Sequence, residues 1–144
     1  MVSKTIEDLL RSHPDLADYG TAQSAETIRA AESTLGVAFP NSFKNYLAHW
    51  GQISFGPSEY FGLGSKVNGV VERTLDARET GRLPQTLIVV CDHEGDEYVC
   101  LNTALIENGE CPVIIWDVPS RSISRSRAPT FDEYLITDME AFLD

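Results

Sequence analysis

Positive charge is what this chain lacks most. Of 144 residues, 11 are Lys or Arg against 22 Asp or Glu, a formal net charge of −11 with a pI of about 4.6. Proteins that grip a phosphate backbone do so with clustered Lys and Arg, so this balance argues against direct nucleic-acid binding. Cysteine is scarce too. Cys91, Cys100 and Cys111 form an odd set whose spacing fits neither a disulfide framework nor a paired C-x-x-C zinc site, and they read as reduced thiols packed as small hydrophobes. No apolar run approaches the roughly 20 residues that a membrane-spanning helix needs. The opening MVSKTIEDLLRSHPD carries acids within its short apolar pattern and lacks the long apolar core of a secretory signal, which makes the cytoplasm the expected location.

Catalytic signatures are missing as well. A nucleophilic hydrolase needs a positioned nucleophile, a His base and an orienting acid. The chain has no G-x-S-x-G elbow, and its histidines, His13, His49 and His93, fall in an N-terminal segment, beside a helix end and at a hairpin tip. Gly62 and Gly64 supply only G-x-G, without the third glycine or the G-K-S/T of a nucleotide loop. The sharpest chemical candidate is the cluster Cys91, Asp92, His93, Glu94, Asp96 and Glu97. Strand alternation puts Cys91 and His93 on one face and Asp92 on the other, and D-x-x-x-D-E lacks the ligand spacing of a calcium loop. The plainer reading is a hairpin tip with a solvated acidic rim. No metal, no cofactor and no enzymatic turnover are expected.

What is present is an ordinary globular composition, 42% hydrophobic and 23% charged, in a length that suits one domain. The most informative stretch is Ile28 to Gly51. Ser24 is placed to cap a helix in which Ile28, Ala31 and Leu35 form an apolar stripe and Glu26 and Glu32 an acidic one. Gly36 fits the left-handed position past the helix end. Pro40 restricts Phe39 to extended backbone and presets a second helix start, after which Phe43, Tyr46, Leu47 and Trp50 recur at helical spacing up to Gly51. Val37 and Phe39 are expected to clamp the corner.

Elsewhere the pattern is α+β. A short helix runs from Thr5 to Arg11, followed by a loop through Tyr19, Gly20 and Thr21. Ile53–Phe55 and Tyr60–Leu63 suggest a hairpin around Gly56-Pro57-Ser58. Ser65 is placed to cap a helix with Val67, Val70, Val71 and Leu75 inward and Gly81 at its end. Leu87–Cys91 reads as a buried strand, HEGD as a tight turn, Glu97–Leu101 as the antiparallel return and Val113–Trp116 as a third strand. Ile123 marks an edge strand, and Thr130 caps a last helix carrying Phe131, Tyr134, Leu135, Met139 and Phe142. Trp50 and Trp116 are expected in the core.

The helical corner (acidic helix, L-G-V, an apolar residue before proline, then F-K-x-Y-L and glycine) resembles the opening signature of the SUKH superfamily. Arg78–Pro84 (R-E-T-G-R-L-P), Leu87–Leu101 and Cys111–Asp117 (C-P-V-I-I-W-D) follow in that family's order. The resemblance spans Glu26 to Leu143 and leaves out residues 1–23. It implies one SUKH-like domain over residues 1–144, with a central, mainly antiparallel sheet flanked by helices. It also implies a binding role: bacterial members include immunity proteins that neutralise polymorphic and contact-dependent toxins, while other members are regulatory or adaptor domains that bind a resident cellular protein.

The charge distribution points to where such binding would occur. Between Leu83 and Ser120 there is no Lys or Arg, yet Asp92, Glu94, Asp96, Glu97, Glu107, Glu110 and Asp117 are all acidic. These seven are the candidate partner-binding residues, with the four at the hairpin tip foremost and the others expected nearby. A cognate toxin domain, a nuclease among the options, is the expected partner. The one basic tract, Arg121–Arg127 (R-S-I-S-R-S-R), could grip phosphate, but it reads better as a polar edge strand whose charges resist edge-to-edge pairing and balance the acidic C-terminal helix.

Overall fold

The computed structural model describes residues 5–64 and 68–143. Thr5 starts the chain's first helix, α1 (Ile6–Ser12), with a reciprocal cap: its hydroxyl accepts from the Asp8 N–H and the Asp8 carboxylate accepts from the Thr5 N–H, both at 3.1 Å. That satisfies two of the donors a helix start leaves open. Ile6, Leu9 and Leu10 are buried, as their spacing requires. The segment that follows is a strand where a loop was expected. Ala17–Tyr19 forms β1, which pairs antiparallel with β2. Three residues are too few to display an alternating pattern, so nothing local announced it.

The corner forms as its residues dictate. Ser24 accepts from the Thr27 N–H at 3.1 Å to open α2 (Ala25–Leu35), and Gly36 closes it at φ +73°. Pro40 is the residue before α3 (Asn41–Trp50), one place earlier than the expected helix start, and Gly51 ends α3 at φ +74°. Phe39 is buried at the bend, and its N–H donates to Glu32 Oε2 at 2.7 Å. Glu32 therefore leaves the solvated stripe to fasten the corner. Val37 is only partly buried against the core.

β2 (Ile53–Phe55) and β3 (Ser58–Tyr60) make the expected hairpin, its second strand two residues early, and with β1 they form a separate three-stranded antiparallel sheet. The buried Tyr46 hydroxyl accepts from the Ile53 N–H at 3.1 Å and lies 3.0 Å from both the Tyr60 and Phe61 carbonyls, tying α3 to both strands.

α4 (Val70–Gly81) turns Val70, Thr74 and Ala77 inward and leaves Leu75 exposed. The expected cap Ser65 and first-turn Val67 lie outside the described residues, but α4 starts later than expected: Gly69, extended at φ −82° and ψ 122°, is the residue before it and offers no side-chain cap. Gly81 is the last helical residue rather than the terminator. Arg82 takes the left-handed position at φ +57° and delivers Leu83 into the core. Burying a leucine contributes roughly 1.5–3 kcal/mol, enough to offset the roughly 1–2 kcal/mol that a left-handed side-chain-bearing residue costs.

The larger sheet is β4 (Leu87–His93), β5 (Glu97–Asn102), β6 (Val113–Asp117) and β7 (Ser122–Ala128) in that order, every pairing antiparallel. A bulge at Val90 shifts the β4–β5 register, and the Val90 carbonyl accepts from the Phe61 N–H at 2.8 Å, joining the two sheets. Finally α5 (Phe131–Leu143), capped by Thr130, packs Phe131 against Phe43 and Tyr46 with ring centroids 4.9 Å apart in both pairs. The described residues thus form one α+β domain of five α-helices and two antiparallel sheets.

Candidate partner-binding surface

The β4–β5 hairpin carries the acids foremost in the sequence reading. Glu94 and Gly95 both take φ > 0, at +54° and +82°, and the Asp96 N–H donates to the His93 carbonyl at 3.1 Å. These are the marks of a type I′ turn, whose twist matches that of the flanking strands. Asp92 buttresses the turn, its Oδ1 accepting from the Gly95 N–H at 2.7 Å, while Oδ2 lies 3.7 Å from Arg73 on α4. Glu97 opens β5 and is paired 3.1 Å from Arg125 on β7, with His93 Nδ1 at 3.9 Å. Asp117 stands opposite Glu97 across the β5–β6 pairing and accepts from the Ser120 N–H at 2.9 Å; the Ser120 hydroxyl, and then that N–H, hold its carboxyl below the ordinary range. Five of the seven acids therefore share one end of the sheet. Of these, Glu94 and Asp96 are exposed and make no ion pair among the described residues.

Glu107 and Glu110 are elsewhere, which corrects the expectation that they lie nearby. They belong to the β5–β6 connection at the opposite end of the sheet, about 20 Å away at about 3.3 Å per strand residue along the six-residue β5. There Glu107 and Glu110 close a second turn with Asn108 and Gly109 at positive φ. Both carboxylate oxygens of Glu110 are engaged: Oε2 accepts from the Ser42 N–H at 3.0 Å and Oε1 from the Ser42 hydroxyl at 2.7 Å. Pro40 offers α3 no side-chain cap, so a residue 68 positions away supplies one. No local pattern shows this.

The basic tract is an edge strand. Arg125 meets Glu97, and Arg127 pairs with Asp138 of α5 at 3.3 Å while its guanidinium lies over the Tyr134 ring. The hairpin does not gather a thiol and an imidazole: Cys91 is buried beside the Tyr134 hydroxyl, with burial pushing its thiol up to about 11, whereas His93 is exposed. Cys100 and Cys111 are buried with free thiols as well. Trp116 is in the core, but Trp50 is only partly covered. It lines a groove of about 1000 Å³ between α1, β1, α3 and α5, which the sequence did not disclose because four separated segments build it.

The fold is similar to the crystal structure of a protein from Pseudomonas syringae pv. tomato, with a TM-score of 0.62 over 83% of this chain and 86% of that one, at 18% identity. At that identity the likeness speaks to the fold. Residues 2–140 match the family SUKH_5, described as SMI1-KNR4 cell-wall, so the matched span takes in α1 and β1, ahead of the Glu26 boundary read from the motifs. With the match running through the helical corner, both sheets and nearly all of α5, the chain belongs to the SUKH_5 family.

Proposed function

We propose that this protein is an immunity-type binding protein that neutralises a cognate bacterial toxin domain in the cytoplasm by forming a stoichiometric complex, without a covalent step. The observation that carries the reading is the pair Glu94 and Asp96, held out by a rigid primed turn and left unpaired among the described residues, where the neighbouring acids already have partners. Rigid, uncompensated negative charge speeds encounter with a cationic surface and specifies register upon docking. Against a nuclease, such a face would compete with the nucleic-acid substrate for the same cations. Asp92, Glu97 and Asp117 shape this face and add to its potential. Glu107 and Glu110 form no part of it.

Co-expression with the product of the neighbouring upstream gene tests the reading: growth arrest should be relieved and a one-to-one complex should co-purify. Reversing the pair in E94K/D96K should slow association about tenfold or more at low salt and flatten its salt dependence. Unchanged kinetics would remove the hairpin from the interface. Recovery of a resident cellular protein, with no toxin partner, would replace immunity by an adaptor role.

A further inference from the structure

The groove between α1, β1, α3 and α5 shares no lining residue with the hairpin tip and has its own character. Its apolar lining includes Leu10, Ala17, Trp50 and Ile136, and Tyr19 stands beside it 54% exposed. Aromatic side chains set at the edge of an apolar trough, with a polar rim, are the usual anatomy of a protein interface. The rim is electrically one-sided. Arg11 is already paired with Glu7 one helical turn before it. Asp132, exposed in the first turn of α5, has Glu110 and Glu133 as its charged neighbours and no ion pair among the described residues; partial desolvation, then those two acids, holds its carboxyl above the ordinary range.

We infer that this groove docks an amphipathic helix of a partner protein, with large apolar side chains seated along Trp50 and Tyr19 and a lysine or arginine reaching Asp132. Charge complementarity selects this occupant. A second copy of the chain carries a net charge of −11, and two arginines of its only basic tract, Arg125 and Arg127, are already paired. Strand addition is disfavoured because β1, the sheet edge that lines the groove, is only three residues long. Side-chain seating, the helix-in-groove mode, is what remains. The inference stands whether or not the partner is a toxin.

The test uses the full chain and two synthetic 18-residue amphipathic peptides, one of leucine and lysine and one of leucine and glutamate. Amide chemical shifts and calorimetry are followed in each titration. The lysine peptide should bind saturably and shift Tyr19, Asn45 and Trp50, with the glutamate peptide at least tenfold weaker. N45W, which fills the groove from the exposed side of α3, should weaken binding at least tenfold, and D132N about threefold. E94K/D96K should leave the groove shifts unchanged. Using variants on two different helices, each checked by circular dichroism, separates misfolding from lost docking. Equal binding of both peptides, absence of saturable binding, or a self-associated chain whose groove is shielded would each overturn the inference. So would shifts confined to Asp92–Glu97 and abolished by E94K/D96K, an outcome that would leave the hairpin reading intact.

Discussion

At one end of the four-stranded sheet Glu94 and Asp96 are exposed and make no ion pair among the described residues. At the other, Glu110 folds over the start of α3 with both carboxylate oxygens occupied. The two ends are built alike: each is a tight turn with two consecutive residues at positive φ, Glu94-Gly95 and Asn108-Gly109, and each is flanked by acids in a stretch without a basic residue. They differ in what lies beside them. The Gly95 turn has open space around it, whereas a Cβ at Gly109 would collide with the Asn41 side chain, and the Gly109 carbonyl accepts from the Asn41 N–H at 2.7 Å. The Gly109 turn is docked at its tip, whereas the Gly95 turn is held only at its base, where the Asp96 carbonyl accepts from the Val118 N–H at 3.0 Å, and its tip side chains have no partner among the described residues. An acid's availability to a partner thus follows from whether its oxygens already hold donors, and a charge count along the chain cannot report that.

The contrast can be broken by substitution. Glu110→Ala should have the largest effect on stability, about 2–3 kcal/mol, because it strips a charged acceptor from a part-buried N–H and hydroxyl at once. In a domain of this size that corresponds to a Tm lower by roughly 5–10 °C, measurable by calorimetry. Glu32→Ala, which frees the Phe39 N–H at the corner, should follow at about 1–2 kcal/mol. Gly109→Ala should destabilise more than Gly95→Ala. Both carry the left-handed strain, about 1 kcal/mol, but only the former must also displace Asn41. Glu94→Ala with Asp96→Ala should move stability by no more than about 0.5 kcal/mol while altering partner association. If that pair proved as destabilising as Glu110→Ala, the distinction between a structural and an available end would fail.

The smallest expected effects concern pH and have opposite signs at two aspartates. Asp117, with its carboxyl held low by Ser120, adds stability that is present above the ordinary carboxylate range and is lost as pH falls through its lowered value. Asp132, with its carboxyl held high by partial desolvation and by Glu110 and Glu133, is a small, solvent-screened cost when ionised, and that cost is relieved as pH falls through its raised value. Asp132→Asn should therefore raise Tm at neutral pH by about 1 °C, with the gain shrinking on acidification. A lower Tm at neutral pH would show that Asp132 gains more from the α5 N-terminus than it loses to its acidic neighbours.

Much of the fold is legible because its instructions are local. Ser24, Gly36 and Gly51 bound α2 and α3 as their stereochemistry requires, the uninterrupted Leu87–Cys91 run is buried, and Thr130 starts the last helix. Arg125 and Arg127 also meet acids on an edge strand as the tract suggested. The misses have a shared cause. β1 exists only because β2 offers it a ladder, Arg82 turns because Leu83 has a core to enter, and Arg73 reaches Asp92 from a separate helix.

Residue order alone determined where α2 and α5 begin, where α2 and α3 end, which strand is buried and that the surface would be acidic, since caps, φ preferences and apolar periodicity act within a few residues. Only tertiary structure decided which acids are free, because a carboxylate is neutralised by donors brought through space: Ser42 to Glu110, Arg125 to Glu97 and Arg73 to Asp92. The groove is likewise a product of packing, made where four elements meet and leave Trp50 partly exposed.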